Sequence, residues 1–193
     1  MRVTRERAAA SRERILDAAA RLFRSRGLDG IGVADIMKGA GLTHGGFYGH
    51  FESKEELMEL ACRRALGTSV EKWGRVAAEA GARTVAEIAR SYLSTRHRDN
   101  PATGCAVAAL AADASRQGPA VRKALSAGIE SQVQVLARAA PGRAGKAARR
   151  RALAAYAAMV GAMVLARAID DPKRSKEMLD AVAATLEASG SGR

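Results

Sequence analysis

No stretch of this sequence alternates apolar and polar residues, and its β-branched residues are scattered, while alanine, the strongest helix former, occurs throughout. That pattern points to an all-α fold, and the spacing predicts about nine helices and no sheet. Ile15, Leu16, Ala19, Leu22 and Phe23 share one face of a first helix, with arginines opposite. Gly27 stands where a C-terminal glycine cap belongs, and Asp29-Gly30 makes a turn. A short helix follows near Val33 to Lys38, closed by Gly39-Ala40-Gly41, and a third is expected over roughly Thr43 to His50.

Capping signals place the later helices. Ser53-Lys54-Glu55-Glu56 forms a capping box that opens a long helix ending near Gly81. A second box, Thr84-Val85-Ala86-Glu87, opens a helix through Tyr92 and Leu93, which the loop from His97 to Pro101 breaks. Helices are expected over 105–114, 119–139 and 146–168. Asp171-Pro172, an N-cap followed by proline at the first helical position, opens the last. The tail Ser189 to Arg193 is expected to be disordered. The natural division lies inside the long fourth helix. Residues 1–60 form an N-terminal domain with a helix-turn-helix at 34–53, residues 61–189 a second helical domain, and 190–193 a tail.

The formal net charge of +12 and a pI near 10.6 favour a polyanionic partner such as nucleic acid, though a basic protein without such a partner remains open on charge alone. Two cysteines, Cys62 and Cys105, argue against a disulfide framework and fit a reducing cytoplasm. The first residues are charged throughout, so no apolar signal core follows the start. The longest apolar run, Ala152 to Ala166, has 15 residues. A spanning helix needs about 20, so this run reads as a buried helix and no membrane partner is expected. His44, His50 and His97 lack metal-ligand spacing, and no nucleophile-base pattern or phosphate-binding glycine loop after a strand is present. Neither a catalytic residue nor a metal or cofactor is expected.

The stretch Gly41 to Leu57 carries the chemistry. Two short helices joined by a glycine-containing turn make a helix-turn-helix, whose second helix can enter a major groove. Phe47 and Phe51, four apart, point into the small core, which leaves Tyr48 and His50 facing elsewhere as phosphate donors or as plain surface side chains. Gly45, Gly46 and Gly49 cost up to about 1 kcal/mol each in a helix, so three together need a reason. Either a bare backbone approaches DNA closely, or another helix packs tightly there, or the segment orders only on DNA. Lys54, in the first turn of the next helix, is placed as a phosphate clamp or as an ordinary solvated lysine.

Ala40-Gly41, Thr43, Phe47-Tyr48, His50-Phe51, Lys54 and Leu57, in this order near the N-terminus, resemble the DNA-binding region of the TetR/AcrR family of bacterial one-component regulators. The specific likeness runs from roughly Ser11 to Cys62. It implies an all-α homodimer whose two recognition helices enter successive major grooves of a double-stranded operator. It also implies phosphate contacts from Thr43, Tyr48, His50 and Lys54, with His44, Gly45 and Gly46 nearest the base edges. Met37 and Gly49 depart from the usual small alanine and larger, often basic residue, so base readout on this helix is thin. Sequence preference then falls to His44, to an arginine arm carrying Arg5 and Arg7 in a minor groove, or to DNA shape.

For the remaining chain the resemblance implies a small-molecule effector pocket among the middle helices and a dimer interface from the last two. The residues from Tyr156 to Leu165 are apolar on every face and need burial all round, by their own core or by a second subunit. Ala158, Gly161, Ala162 and Leu165, with Leu179, Val182 and Leu186, suit an intersubunit four-helix bundle or an internal core. Trp73, Tyr92, Met159 and Met163 are candidates for the pocket or for plain core. Cys105 begins a helix, where N–H dipoles favour a reactive thiolate, as in some family members that sense electrophiles; a small buried hydrophobe is the other reading. Cys62 reads as packing. The expected function is a ligand-responsive repressor, with a sequence-independent nucleic-acid binder as the alternative and a small-molecule binder with vestigial DNA contacts as a third.

Overall fold

The computed structural model describes residues 5–139 and 145–190. Nine α-helices are found among them: α1 Arg5–Arg26, α2 Val33–Gly39, α3 Lys54–Ala80, α4 Thr84–Tyr92, α5 Thr95–Asp99, α6 Ala106–Ala114, α7 Pro119–Ala139, α8 Lys146–Ala168 and α9 Pro172–Gly190. The apolar stripe of α1 is buried at Ile15, Leu16, Ala19 and Phe23 and packs on α2 and α3. Gly27 ends α1 with φ +81 and donates its N–H to the Phe23 carbonyl at 2.8 Å, as a C-terminal glycine cap should. The Asp113 carboxylate of α6 accepts the next N–H, that of Leu28, at 3.0 Å, tying the end of α1 to the second half of the chain.

α3 runs through both halves. Its N-terminal part closes the small core of α1 and α2, and its remainder packs along α7, which in turn packs on α8; α9 covers α4 and α8. The α3–α7 contact is close because Gly128 has no side chain: a Cβ there would stand 2.7 Å from the Leu66 Cβ. Gly128→Ala is therefore expected to cost about 1–3 kcal/mol through overpacking. Gly67→Ala, on α3 where a Cβ meets nothing within 4 Å, should be neutral or mildly stabilising. Urea unfolding of the two variants checks this, and equal midpoints would mean that the two helices slide apart freely.

Several sequence expectations are corrected. The segment expected as a third α-helix is a 3-10 helix, His44–Gly49, because three glycines in six residues weaken the α-helical state. The expected loop after Leu93 contains α5, capped by the Ser94 hydroxyl, which accepts the His97 N–H at 3.3 Å. The Ser53 box forms, with Ser53 Oγ accepting the Glu56 N–H at 3.1 Å while the Glu56 carboxylate takes the N–H of Glu52 at 2.7 Å. The Thr84 box does not. A 3-10 turn, Gly81–Arg83, leads directly into α4, and the buried Thr84 hydroxyl donates to the Gly81 carbonyl at 2.6 Å. Asp171 caps α9 as expected, accepting the N–H groups of Lys173 and Arg174. α9 also continues through Ser189 and Gly190, which were expected in the tail; residues 191–193 lie outside the described residues.

By length and mean hydropathy (1.3) α8 could cross a bilayer, yet it packs between α7 and α9. It is not buried all round within one chain: Leu153, Val164 and Leu165 remain 44%, 45% and 52% exposed.

Candidate nucleic-acid interface and ligand cavity

α2, the turn through Ala40 and Gly41, and the 3-10 segment His44–Gly49 form a helix-turn-helix unit whose second element is held from below. Phe47 and Phe51 are buried and stacked, ring centroids 5.6 Å apart. Their burial turns Tyr48 outward to 73% exposure. Thr43, His44, Gly45, Gly46 and Gly49 are exposed beside it, while His50 and Lys54 are half-buried at the edge. A Cβ at Gly45 or Gly49 would meet nothing within 4 Å, so no contact within the chain explains either glycine; at Gly46 the nearest atom is the Met37 Cε at 3.6 Å. The face is thus flat backbone flanked by a phenol and imidazoles, continuous with the first turn of α3.

Arg12 of α1 is a strut and not a free surface cation. It lies 4.7 Å above the Phe51 ring, bonds the His50 carbonyl through Nε at 3.4 Å and pairs with Glu56 at 3.3 Å. Arg5 and Arg7 are exposed on the first turns of α1 and so belong to a helix, not an extended arm; Arg2 lies outside the described residues.

A cavity of about 800 Å³ lies between α1, α3, α4 and the residues leading into α6. Trp73, Tyr92, Cys105 and Gln132 line it and are buried; Arg21, Lys72 and Arg96 line it and are exposed, so they mark its mouth. Met159 and Met163 are wholly buried and do not line it, so they serve as core. Cys105 is the N-cap residue of α6, and its thiol is 4% exposed as a residue. Cys62 is packed away, and burial pushes its thiol up to about 11.

His97 organises the wall beside Cys105. Its Nδ1 donates to the Tyr92 carbonyl at 2.6 Å, and its Nε2 accepts the Cys105 N–H at 2.9 Å. Only the neutral ring can do both. Gly104 is required next to it, because a Cβ there would stand 2.7 Å from the imidazole. Arg167 fixes the same turn by donating to the carbonyls of His97 and Arg98 at 3.0 and 3.1 Å.

Residues 15–61 match the N-terminal domain of the bacterial regulatory proteins of the tetR family. These residues form a TetR-family DNA-binding domain.

The matched region holds the helix-turn-helix described above, and relatives align there too. AcrR of Shigella flexneri is 41% identical over 56 residues, 29% of this chain and 26% of AcrR. The repressor KstR2 of Rhodococcus jostii is 39% identical over 67 residues, 35% of this chain and 33% of KstR2. The chain thus spans only about a quarter to a third of the length of these curated relatives. Over the whole fold it resembles NemR of E. coli in its reduced form, with a TM-score of 0.79 and 22% identity, covering 92% of this chain and 95% of NemR. TetR-family proteins are regulators and not enzymes.

Ala162, Leu179 and Leu186, expected at a dimer interface, are buried inside the subunit. Leu165 is exposed, and Ala158, Gly161 and Val182 are half-buried. The sequence reading missed Arg24, His97 and Gln132, which no spacing links to Trp73 or Cys105 along the chain.

Burial, with the nearby cations Arg167 and Lys72, holds the His97 pKa below its ordinary 6.5. The unfolded chain therefore binds this proton more readily than the folded one. The resulting stability is present above pH 6.5 and declines as pH falls below it, towards the depressed folded pKa. Urea midpoints across that range should fall with pH in the wild type and fall less in His97→Gln; parallel curves would assign the pH dependence elsewhere.

Proposed function

We propose that this TetR-family protein is a transcriptional repressor that binds a palindromic operator as a homodimer and releases it when the cavity is occupied or Cys105 is modified. The carrying observation is the exposed face of Thr43, His44, Gly45, Gly46 and Tyr48, edged by the half-buried Lys54, over the buried Phe47–Phe51 pair. Thr43, Tyr48, His50 and Lys54 take phosphates, His44 and the glycines lie against base edges, and Arg5 and Arg7 add phosphate contacts from α1. The name of KstR2, a repressor, favours that sign of control.

Dimerisation follows from the exposed apolar surface of α8 at Leu153, Val164 and Leu165, with Ala158, Gly161 and Val182 at its margin. Two such faces form the four-helix bundle with α9. The effector acts by population shift: it favours a dimer whose recognition elements no longer match the groove spacing of about 34–36 Å or its multiples. Cys105 lies in the cavity wall on a turn bonded to α1, where Arg24 Nε donates to the Ala102 carbonyl at 2.8 Å. Alkylation there displaces that turn and with it the end of α1. NemR, whose structure was determined in a reduced form, makes thiol state the first variable to examine.

The test is binding to the DNA upstream of the protein's own gene, against scrambled competitor, across a salt series and with or without N-ethylmaleimide. A preference of about 10³-fold or more for one palindromic segment, lost on alkylation in the wild type but not in Cys105→Ser, is expected. Equal binding to both DNAs that vanishes steeply with salt would replace the repressor with a sequence-independent binder. An unchanged alkylation response in Cys105→Ser would remove the thiol switch.

A further inference from the structure

We infer that the cavity recognises a monocarboxylate carrying an aromatic or alkyl body, an inference that rests on the cavity being the effector site. Its buried, unpartnered side-chain polar groups are the Gln132 amide nitrogen and the Tyr92 hydroxyl, and both can donate. Gln132 is wholly buried; its Oε1 accepts the Tyr156 hydroxyl at 2.7 Å, and its Nε2 has no partner. The Tyr92 hydroxyl, also buried, finds no nitrogen or oxygen partner and has only the Cys105 thiol, a weak one, beside it. Arg24 spends its Nε on the Ala102 carbonyl, and its terminal nitrogens find no hydrogen-bond partner among the described residues. Buried donors left unpaired are costly, so a ligand that supplies acceptors is strongly favoured over one that supplies donors.

The charge of the wall has the same sense. Arg21, Arg24, Arg64, Lys72 and Arg96 line the cavity against one carboxylate, Asp17, which Arg64 already engages at 2.7 Å. A planar acceptor pair fits the fork of a guanidinium, and partial burial of Arg24 strengthens that pairing. The rest of the ligand meets carbon: Trp73 stands edge-on to Tyr92 with centroids 6.1 Å apart, and Val76 and Ile88 complete that side. At about 800 Å³ the cavity is within the size range of small-ligand sites.

Trp73 is the single tryptophan, so intrinsic fluorescence reads this cavity directly. The experiment titrates the full-length protein with octanoate and phenylbutyrate and with their uncharged amides, octanamide and phenylbutyramide. Both carboxylates are expected to give a saturable change and to bind about ten- to hundredfold tighter than their amides. Arg24→Gln and Gln132→Glu should each remove most of that preference; the second keeps the acceptor for Tyr156 while exchanging the free donor for an anion. Equal affinity for acid and amide, no saturable binding of either acid at millimolar concentration, or an undiminished preference in both variants would overturn the inference. DNA binding is followed in the same samples. Operator preference without carboxylate preference defeats only the ligand class, whereas carboxylate preference without operator preference defeats the repressor and leaves the anion site standing.

Discussion

Phe47→Ala is expected to lower stability by about 3–5 kcal/mol and to abolish operator binding. The side chain is wholly buried, stacked on Phe51 and edge-on to Tyr48 at 5.2 Å. The segment it anchors has little structure of its own: Gly46 bonds back to Thr43, and His50 and Phe51 bond back to Phe47, in six residues of which three are glycine. Without the aromatic pair, nothing holds the glycine-rich face at a fixed height above α2. Tyr48→Ala, one residue on and exposed, should change stability by no more than about 0.5 kcal/mol while still weakening DNA binding. Denaturant unfolding and DNA titration of both variants check this. Retained operator affinity in a folded Phe47→Ala protein would show that the segment orders without its anchor.

The combination Tyr48→Phe with Lys54→Ala is expected to weaken operator binding by at least about tenfold and to flatten its salt dependence, each lost lysine contact removing about one unit of slope per subunit. The hydroxyl and the ammonium lie on one continuous surface, with Lys54 as the first residue of α3 where the helix N-terminus already attracts anions. Neither change should disturb folding, since the phenol ring is retained and the lysine makes no ion pair with a described carboxylate. Salt titrations of the wild type and the double variant provide the measurement. Unchanged affinity and slope would move the phosphate contacts to other residues.

Local chemistry was legible wherever one residue type dictates one conformation. Gly27 and Gly81 end helices with positive φ, Asp171 and Ser53 start them, and the bounds of α7 and α8 follow from proline, glycine and alanine alone. The helix-turn-helix segment was legible because its residues are contiguous. Its 3-10 geometry was not, since propensity says glycine opposes an α-helix without saying what replaces it. The Thr84 box failed because its hydroxyl is equally able to donate backwards, to the Gly81 carbonyl. Arg12 carried the same letter as Arg5 and Arg7, and only the approach of Phe51 and Glu56 separates a strut from an exposed cation. The cavity joins Arg24, Trp73, Cys105 and Gln132, far apart in sequence and on different helices, and no periodicity relates them.

α3 gives the molecule leverage. One unbroken helix carries Lys54 at its first residue and Trp73 in the cavity wall, and no joint lies between them. At 1.5 Å per residue those positions are about 28 Å apart along the axis, so a tilt of only about 5° pivoted at Trp73 swings the Lys54 end through about 2.5 Å. That displacement approaches the length of a hydrogen bond. In the proposed dimer, a ligand that shifts Trp73 slightly would pull both Lys54 side chains off the phosphates assigned to them at once, and a rod of this kind needs no unfolding step to open the grip.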